Sequence, residues 1–162
     1  MSEGEIRLNK TTFSVYRMLN DCCHHVRVSG IHELIFKGDQ TLEVFADEHR
    51  IDQVIVNFVN NATKYAPESS KIDLIAERRG DMAWIAVRDF GSGIPDEKQA
   101  LLFDRYYRAD SSGMQVSGLG LGLYICAEII HRHKGQIGVD SELGKGSTFW
   151  FTLPMSSQSP TL

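Results

Sequence analysis

Apolar positions recur along this chain with two periods, and the changes between them mark out its elements. From residue 51 to 67 the period is helical. Ile51, Val54, Ile55, Phe58, Val59 and Ala62 fall at i, i+3, i+4, i+7, i+8 and i+11, one stripe suited to burial. Asp47 stands where an N-cap is expected, and Pro67 ends the helix near Ala66. A polar stripe runs beside the apolar one: Asn57, Asn61, Lys64 and Tyr65 at i, i+4, i+7 and i+8. Two amides, an ammonium and a phenol on the rim of a core helix can gather a metal ion, phosphates and a flat ring. Taken alone, the same stripe also fits a solvated helix face. Asn60 is out of phase with Asn57 and Asn61 and falls outside the set.

Elsewhere the two periods alternate. Phe13 to about His25 carries Val15, Met18, Leu19 and Cys22 at helical spacing. Residues 32–37 and 41–46 read as two strands joined by a turn at Gly38-Asp39. Residues 71–77 and 82–89 alternate around Arg79-Gly80-Asp81, a hairpin. Asp96 to Leu102 is a short helix with Pro95 just before it, and Leu119 to His133 a longer one that opens among glycines. Residues 136–140 and 147–153 are the last strands, with Gly144-Lys145-Gly146 near their turn. Residues 105–117 are rich in Ser, Gly and Asp and predict a mobile loop. Residues 1–12 fray or add an edge strand through Ile6 and Leu8, and residues 155–162 form a disordered tail.

Composition narrows the function classes. The chain has 162 residues, enough for one domain with a sizeable core and too few for two of ordinary size. It is 42% hydrophobic and 23% charged, as ordinary globular proteins are. A net charge of −4 leaves no footprint for nucleic acid or for direct contact with an anionic membrane. No apolar run approaches the ~20 residues that cross a bilayer, and no secretory signal opens the chain. A cytoplasmic location follows as the expectation, with membrane anchorage left to any longer parent. Cys22, Cys23 and Cys126 make no disulfide framework and read as reduced thiols. The run Cys22-Cys23-His24-His25 cannot surround one tetrahedral metal, and no second ligand pair follows it.

Chemistry concentrates in four further stretches: VRDFGSGIP (87–95), LFDRYYRAD (102–110), GLGLGLYI (118–125) and GKGSTFWFTLP (144–154). Asp89 ends a strand on which Ile85 and Val87 share its face. A carboxylate ending a core-facing row can accept adenine's amino hydrogen and reject guanine, which offers a carbonyl there. An Asx turn is the plainer role for such an aspartate. Gly91 and Gly93 let the backbone approach a base closely. Gly118, Gly120 and Gly122 precede a helix, where bare N–H groups and the positive helix end can cradle phosphate. Two better-known phosphate motifs are excluded. Leu123 takes the place of the third glycine of GxGxxG, and Gly146 stands where Ser or Thr must follow a P-loop lysine.

Residues 51–67, 87–95, 102–110 and 118–125, in this order, resemble the N, G1, F and G2 boxes of the GHKL nucleotide-binding superfamily, and 144–154 closes the series. In particular, residues from about 30 to 154 resemble the ATP-binding catalytic domain of bacterial sensor histidine kinases. The resemblance implies a two-layer α/β sandwich of the Bergerat type, a mixed, mostly antiparallel sheet with about three helices on one face. The catalytic domain would span 28–154, after a linker strand or helix region over 1–27. ATP and Mg2+ are the implied cofactors. Asn61 would be the metal ligand, Asn57 would support the phosphate and metal side, Lys64 would neutralise phosphate charge, and Tyr65 would lie against adenine. Asn57, Lys64 and Arg108 are the implied catalytic residues. Ile94 is implied, with Asp89, Gly91 and Gly93, among the ATP-binding residues. Leu119 and Leu121 join the three glycines, and Thr148 belongs to the closing strand's share of the site. Phe103, Tyr106, Tyr107 and Arg108 match the F box at the hinge of an ATP lid, with Arg108 reaching the phosphates. Tyr106 replaces the more usual phenylalanine.

Position 57 divides that superfamily. Hydrolysing members carry a glutamate there to activate water, whereas the amide of Asn57 cannot act as general base. Phosphoryl transfer to an outside nucleophile is favoured over hydrolysis. The implied nucleophile is a histidine on a separate dimerisation and phosphoacceptor domain absent from this chain, with a response regulator as an indirect partner. His32-Glu33 lies in a strand and lacks the basic residue and proline that follow an acceptor histidine. Two alternatives share the fold. An anti-sigma-type protein-serine kinase is opposed by the F box and lid length, and a catalytically silent interaction module is opposed by the intact boxes.

Overall fold

A computed structural model describes residues 7–66, 68–99, 101–104 and 122–155. In chain order the elements are β1 (Thr11–Ser14), α1 (Val15–Asp21), α2 (His24–Ser29), β2 (Glu33–Gly38), β3 (Glu43–Ala46), α3 (Glu48–Tyr65), β4 (Lys71–Arg79), β5 (Met82–Asp89), α4 (Asp96–Gln99), α5 (Gly122–Arg132), β6 (Ile137–Glu142) and β7 (Gly146–Pro154). The main sheet runs β2-β4-β5-β7-β6, with β2 parallel to β4 and the other neighbours antiparallel. This is the mixed, mostly antiparallel sheet of a two-layer α/β sandwich.

The helical stripe and the strand alternation explain how the layers meet. Ile51, Val54, Ile55, Phe58, Val59 and Ala62 are all buried along α3. Asp47 caps that helix by accepting from the Arg50 N–H at 3.2 Å. Across the interface Phe58 meets Phe149 and Phe151 of β7, with ring centroids 5.4 and 6.0 Å apart. Burying a side chain of this size contributes about 1.5–3 kcal/mol. On β5 the same alternation buries Ile85, Val87 and Asp89, which leaves a carboxylate at the end of an apolar row. α1, α3 and α5 all pack against strands of this sheet.

Three local expectations are corrected. Residues 33–38 and 43–46 are strands but form no hairpin. β2 lies beside β4, where the Asp39 N–H still donates to the Ala76 carbonyl, and the Asp39 carboxylate then turns the chain by accepting from the Thr41 N–H. β3 instead pairs with β1 in a separate two-stranded sheet. The N-terminal strand is Thr11–Ser14, not a segment through Leu8, while Ile6 lies outside the described residues. The helix expected from Phe13 to His25 starts at Val15, because Ser14 caps it by accepting from the Arg17 N–H. It breaks at Cys22, where the chain is extended, and Cys23, which adopts φ +57°. All three cysteines are free and buried, and burial pushes the Cys126 thiol up to about 12.

Candidate functional site at the ends of β5, α3 and α5

The end of β5 delivers Asp89 into a dry corner, where it is only 4% exposed. Its Oδ1 accepts from the backbone N–H of Gly91 at 3.0 Å and of Ser147 at 3.2 Å. Both described bonds end on this one oxygen. Burial pushes the Asp89 carboxyl above its ordinary range; those two N–H groups pull it back in part, and the charge of Glu68 adds to the upward push. Gly91 is needed for a steric reason: a Cβ there would run into the Cβ of Ala66 at the end of α3. The loop after β5 is therefore packed directly on the end of the helix that carries the polar stripe.

Three serines that the motif reading did not select hold this loop. The Ser69 hydroxyl accepts from the Phe90 N–H at 3.1 Å and donates to the Lys71 carbonyl at 2.7 Å. The Ser141 hydroxyl accepts from the Ile94 N–H at 2.8 Å and lies 2.7 Å from the Ser147 hydroxyl. Gln99 donates to the carbonyls of Ile94 and Ser141 at 2.8 and 3.1 Å. Gly93, at φ +85°, sits against the Glu142 carbonyl. Residues 90–95 are thus clamped to the β6–β7 turn. The one sequence signal for Ser147 is its place after Gly146, and its pairing opposite Asp89 becomes visible only with the strand register.

Thr148 does not join this cluster. Strand alternation turns it to the other face, opposite Arg88 and Asp140, so Ser147 takes the position beside Asp89. Thr148, expected among the ATP-binding residues, thus lies on the face of the sheet opposite Asp89.

Along α3 the polar residues Asn57, Asn61 and Lys64 follow the periodicity of their stripe. Asn57 and Asn61 are half-buried and Lys64 is exposed. The Asn57 amide nitrogen donates to the Gln53 carbonyl at 3.2 Å, which leaves its Oδ1 as the outward acceptor. That oxygen faces the start of α5: a Cβ built on Gly122 would lie 2.7 Å from it. The glycine-rich turn and the asparagine helix therefore meet at Gly122 and Asn57. Asn60 is turned away and pairs with His25 at 3.2 Å. Phe103 packs against Phe149 with centroids 6.4 Å apart, holding the start of the F-box segment on the core. Tyr107, Arg108, Gly118, Leu119, Gly120 and Leu121, with the side chain of Tyr65, lie outside the described residues.

Comparison with known proteins bears on this arrangement directly. The family described as histidine kinase-, DNA gyrase B- and HSP90-like ATPase matches residues 46–157. The chain belongs to this family. The adaptive-response sensory kinase SasA of Thermosynechococcus vestitus is 47% identical over 115 residues, 70% of this chain and 30% of SasA. The chain therefore spans about a third of the length of that curated relative. The catalytic domain of histidine kinase ThkA superposes with a TM-score of 0.76 at 26% identity, covering 90% of this chain and 95% of that one. Full-length ShkA in complex with AMPPNP superposes with a TM-score of 0.81 at 25% identity, covering 97% of this chain and 33% of ShkA. The fold is that of the histidine kinase ATPase domain. Among the described residues no helix is long and apolar enough to cross a membrane.

Proposed function

We propose that this ATPase domain binds ATP with Mg2+ and passes the γ-phosphate to a histidine on a separate phosphoacceptor domain of a sensor kinase. The observation that carries the reading is the buried Asp89, whose described hydrogen bonds both fall on Oδ1. Oδ2 then accepts the adenine amino hydrogen, and a guanine carbonyl at that place meets a like-charged acceptor. Gly91, Gly93 and Ile94 border the base in the loop that the serine clamp holds. Asn57, Lys64 and the N-terminus of α5 cradle the triphosphate, and Arg108 adds charge from the lid. Magnesium supplies screening of the phosphate charges, and the neutral carbonyl oxygen of Asn61 is a hard ligand that fits it.

No carboxylate stands at position 57, so the described part of the site positions ATP for a nucleophile brought from outside. His32 does not supply that nucleophile here: it is buried, with Nδ1 2.6 Å from the Ser69 carbonyl. The response regulator is reached indirectly, through the phosphorylated acceptor domain, and the parent kinase works in the cytoplasm. Mixing the chain with the phosphoacceptor domain of a similar sensor kinase and γ-labelled ATP tests the reading. Acid-labile, alkali-stable label on the acceptor is the expected result. Acid-stable label on serine would place the chain with protein-serine kinases, and absence of label would make it a non-catalytic binding module.

A further inference from the structure

His133 is among the most buried polar residues described, at 1% exposure, and the chemistry proposed above makes no use of it. It follows directly on α5. Its Nδ1 donates to the Ile129 carbonyl at 2.8 Å, and its Nε2 accepts from the backbone N–H of Asp47 at 3.0 Å. Only the neutral ring protonated on Nδ1 makes both bonds. Asp47 is the N-cap of α3, and its own carboxylate is engaged by the N–H groups of Arg50 and Asn9. The ring therefore ties the end of α5 to the beginning of α3.

The same two helices touch again at Gly122 and Asn57. They run antiparallel, with the two ties roughly 15 Å apart along each axis. Buried apolar side chains, among them Ile129 and Ile130 of α5 and Ile51 and Val54 of α3, fill the layer that holds them. Apolar burial is non-directional and resists axial sliding weakly, whereas a hydrogen bond fixes one position. We infer that His133 is a positioning residue: it pins the register of α5 against α3, sets Gly122 against Asn57, and releases that register when the ring is protonated. This rests on the reading of Asn57 as part of the phosphate side.

Protonation would set a second N–H against the Asp47 N–H and bury a charge. Burial holds the ring below its ordinary range, helped by the ammonium of Lys10 from the segment before β1. The Ile129 carbonyl and the Asp47 carboxylate oppose that shift. With a folded value below the unfolded one, the pinned state is fully present above about pH 6.5 and is lost as pH falls further.

The test is nucleotide affinity from about pH 8 to about pH 5.5, for the wild type, H133Q and H133A, measured with AMPPNP. Glutamine keeps an acceptor that does not titrate. The ratio of wild type to variant cancels the titration of the nucleotide and of the other histidines. At the alkaline end H133Q should match the wild type and H133A should bind more weakly. Toward the acid end the wild type should lose roughly fivefold relative to H133Q, the low end of couplings between sites. A ratio that does not change with pH would overturn the inference. In the nucleotide-free wild type, the side-chain amide signals of Asn57 should move with the titration of the His133 ring. Independence of the two would overturn the inference even if the variants fail to fold. Should the wild type bind no nucleotide at any pH, the ATP reading falls, and the Asn57 signals still decide the role of His133.

Discussion

At the end of β5 the site consists of backbone N–H groups around one buried carboxylate; along α3 it consists of side-chain amides and an ammonium that are half-buried or exposed. On the function proposed, the two sides answer different demands. Choosing a base requires a fixed acceptor in a dry place, where a mismatched partner leaves a buried polar group unpaired. Handling a triphosphate requires positive and neutral polar groups near the surface, where exposed charges are screened by salt. Substitutions should therefore cost most on the β5 side and least on the rim.

The largest effect is expected from Asp89→Asn. The Gly91 and Ser147 N–H groups still find an acceptor on Oδ1, so the fold persists while the charged acceptor for adenine is lost. Affinity should drop by about 100-fold, the upper range for a hydrogen bond to a charged group. The same variant sharpens the comparison through stability. The carboxyl of Asp89 is raised on folding, so its contribution is fully present below the unfolded value near pH 4 and is lost as pH rises through the folded value. Thermal unfolding at neutral pH should show Asp89→Asn to be more stable than the wild type, with the difference vanishing in acid. A less stable variant at neutral pH would mean that Asp89 supports the fold instead of straining it.

On the other side, Asn61→Ala should remove the benefit of added magnesium, weakening binding by about tenfold in its presence and little in its absence. Calorimetry with and without the ion checks this, and equal losses in both conditions would remove Asn61 from the metal. Lys64→Ala should weaken binding only a few-fold, with the loss shrinking as salt is raised, as for an exposed charge. Thr148→Val should leave affinity within about twofold of the wild type, because that side chain points to the opposite face of the sheet. A large loss there would place Thr148, and not Ser147, next to the nucleotide.

Much of this was readable because it is local. The apolar stripe of α3, its Asp47 cap and the polar row Asn57, Asn61 and Lys64 depend on neighbours a turn apart, and all stand where the spacing put them. Asp89 at the end of a buried row follows from alternation within one strand. What escaped depends on pairings remote in sequence. The Ile94–Ser141, Asp89–Ser147 and Asp47–His133 hydrogen bonds join residues 47, 58 and 86 positions apart. The parallel pairing of β2 with β4 and the small β1–β3 sheet are of the same kind, since alternation within a strand does not name its neighbour. Thr148 and Ser147 show a finer limit of the same kind: which parity of the strand faces the helices is settled only when Phe149 and Phe151 meet Phe58.

The most direct test of the account is calorimetric titration of the wild-type chain with adenine and guanine triphosphate analogues, with and without Mg2+. Magnesium-assisted binding of the adenine analogue alone, abolished by Asp89→Asn, is the predicted result. Equal binding of both bases, or adenine binding that survives the substitution, would contradict the assignment of Asp89 as the base-reading group.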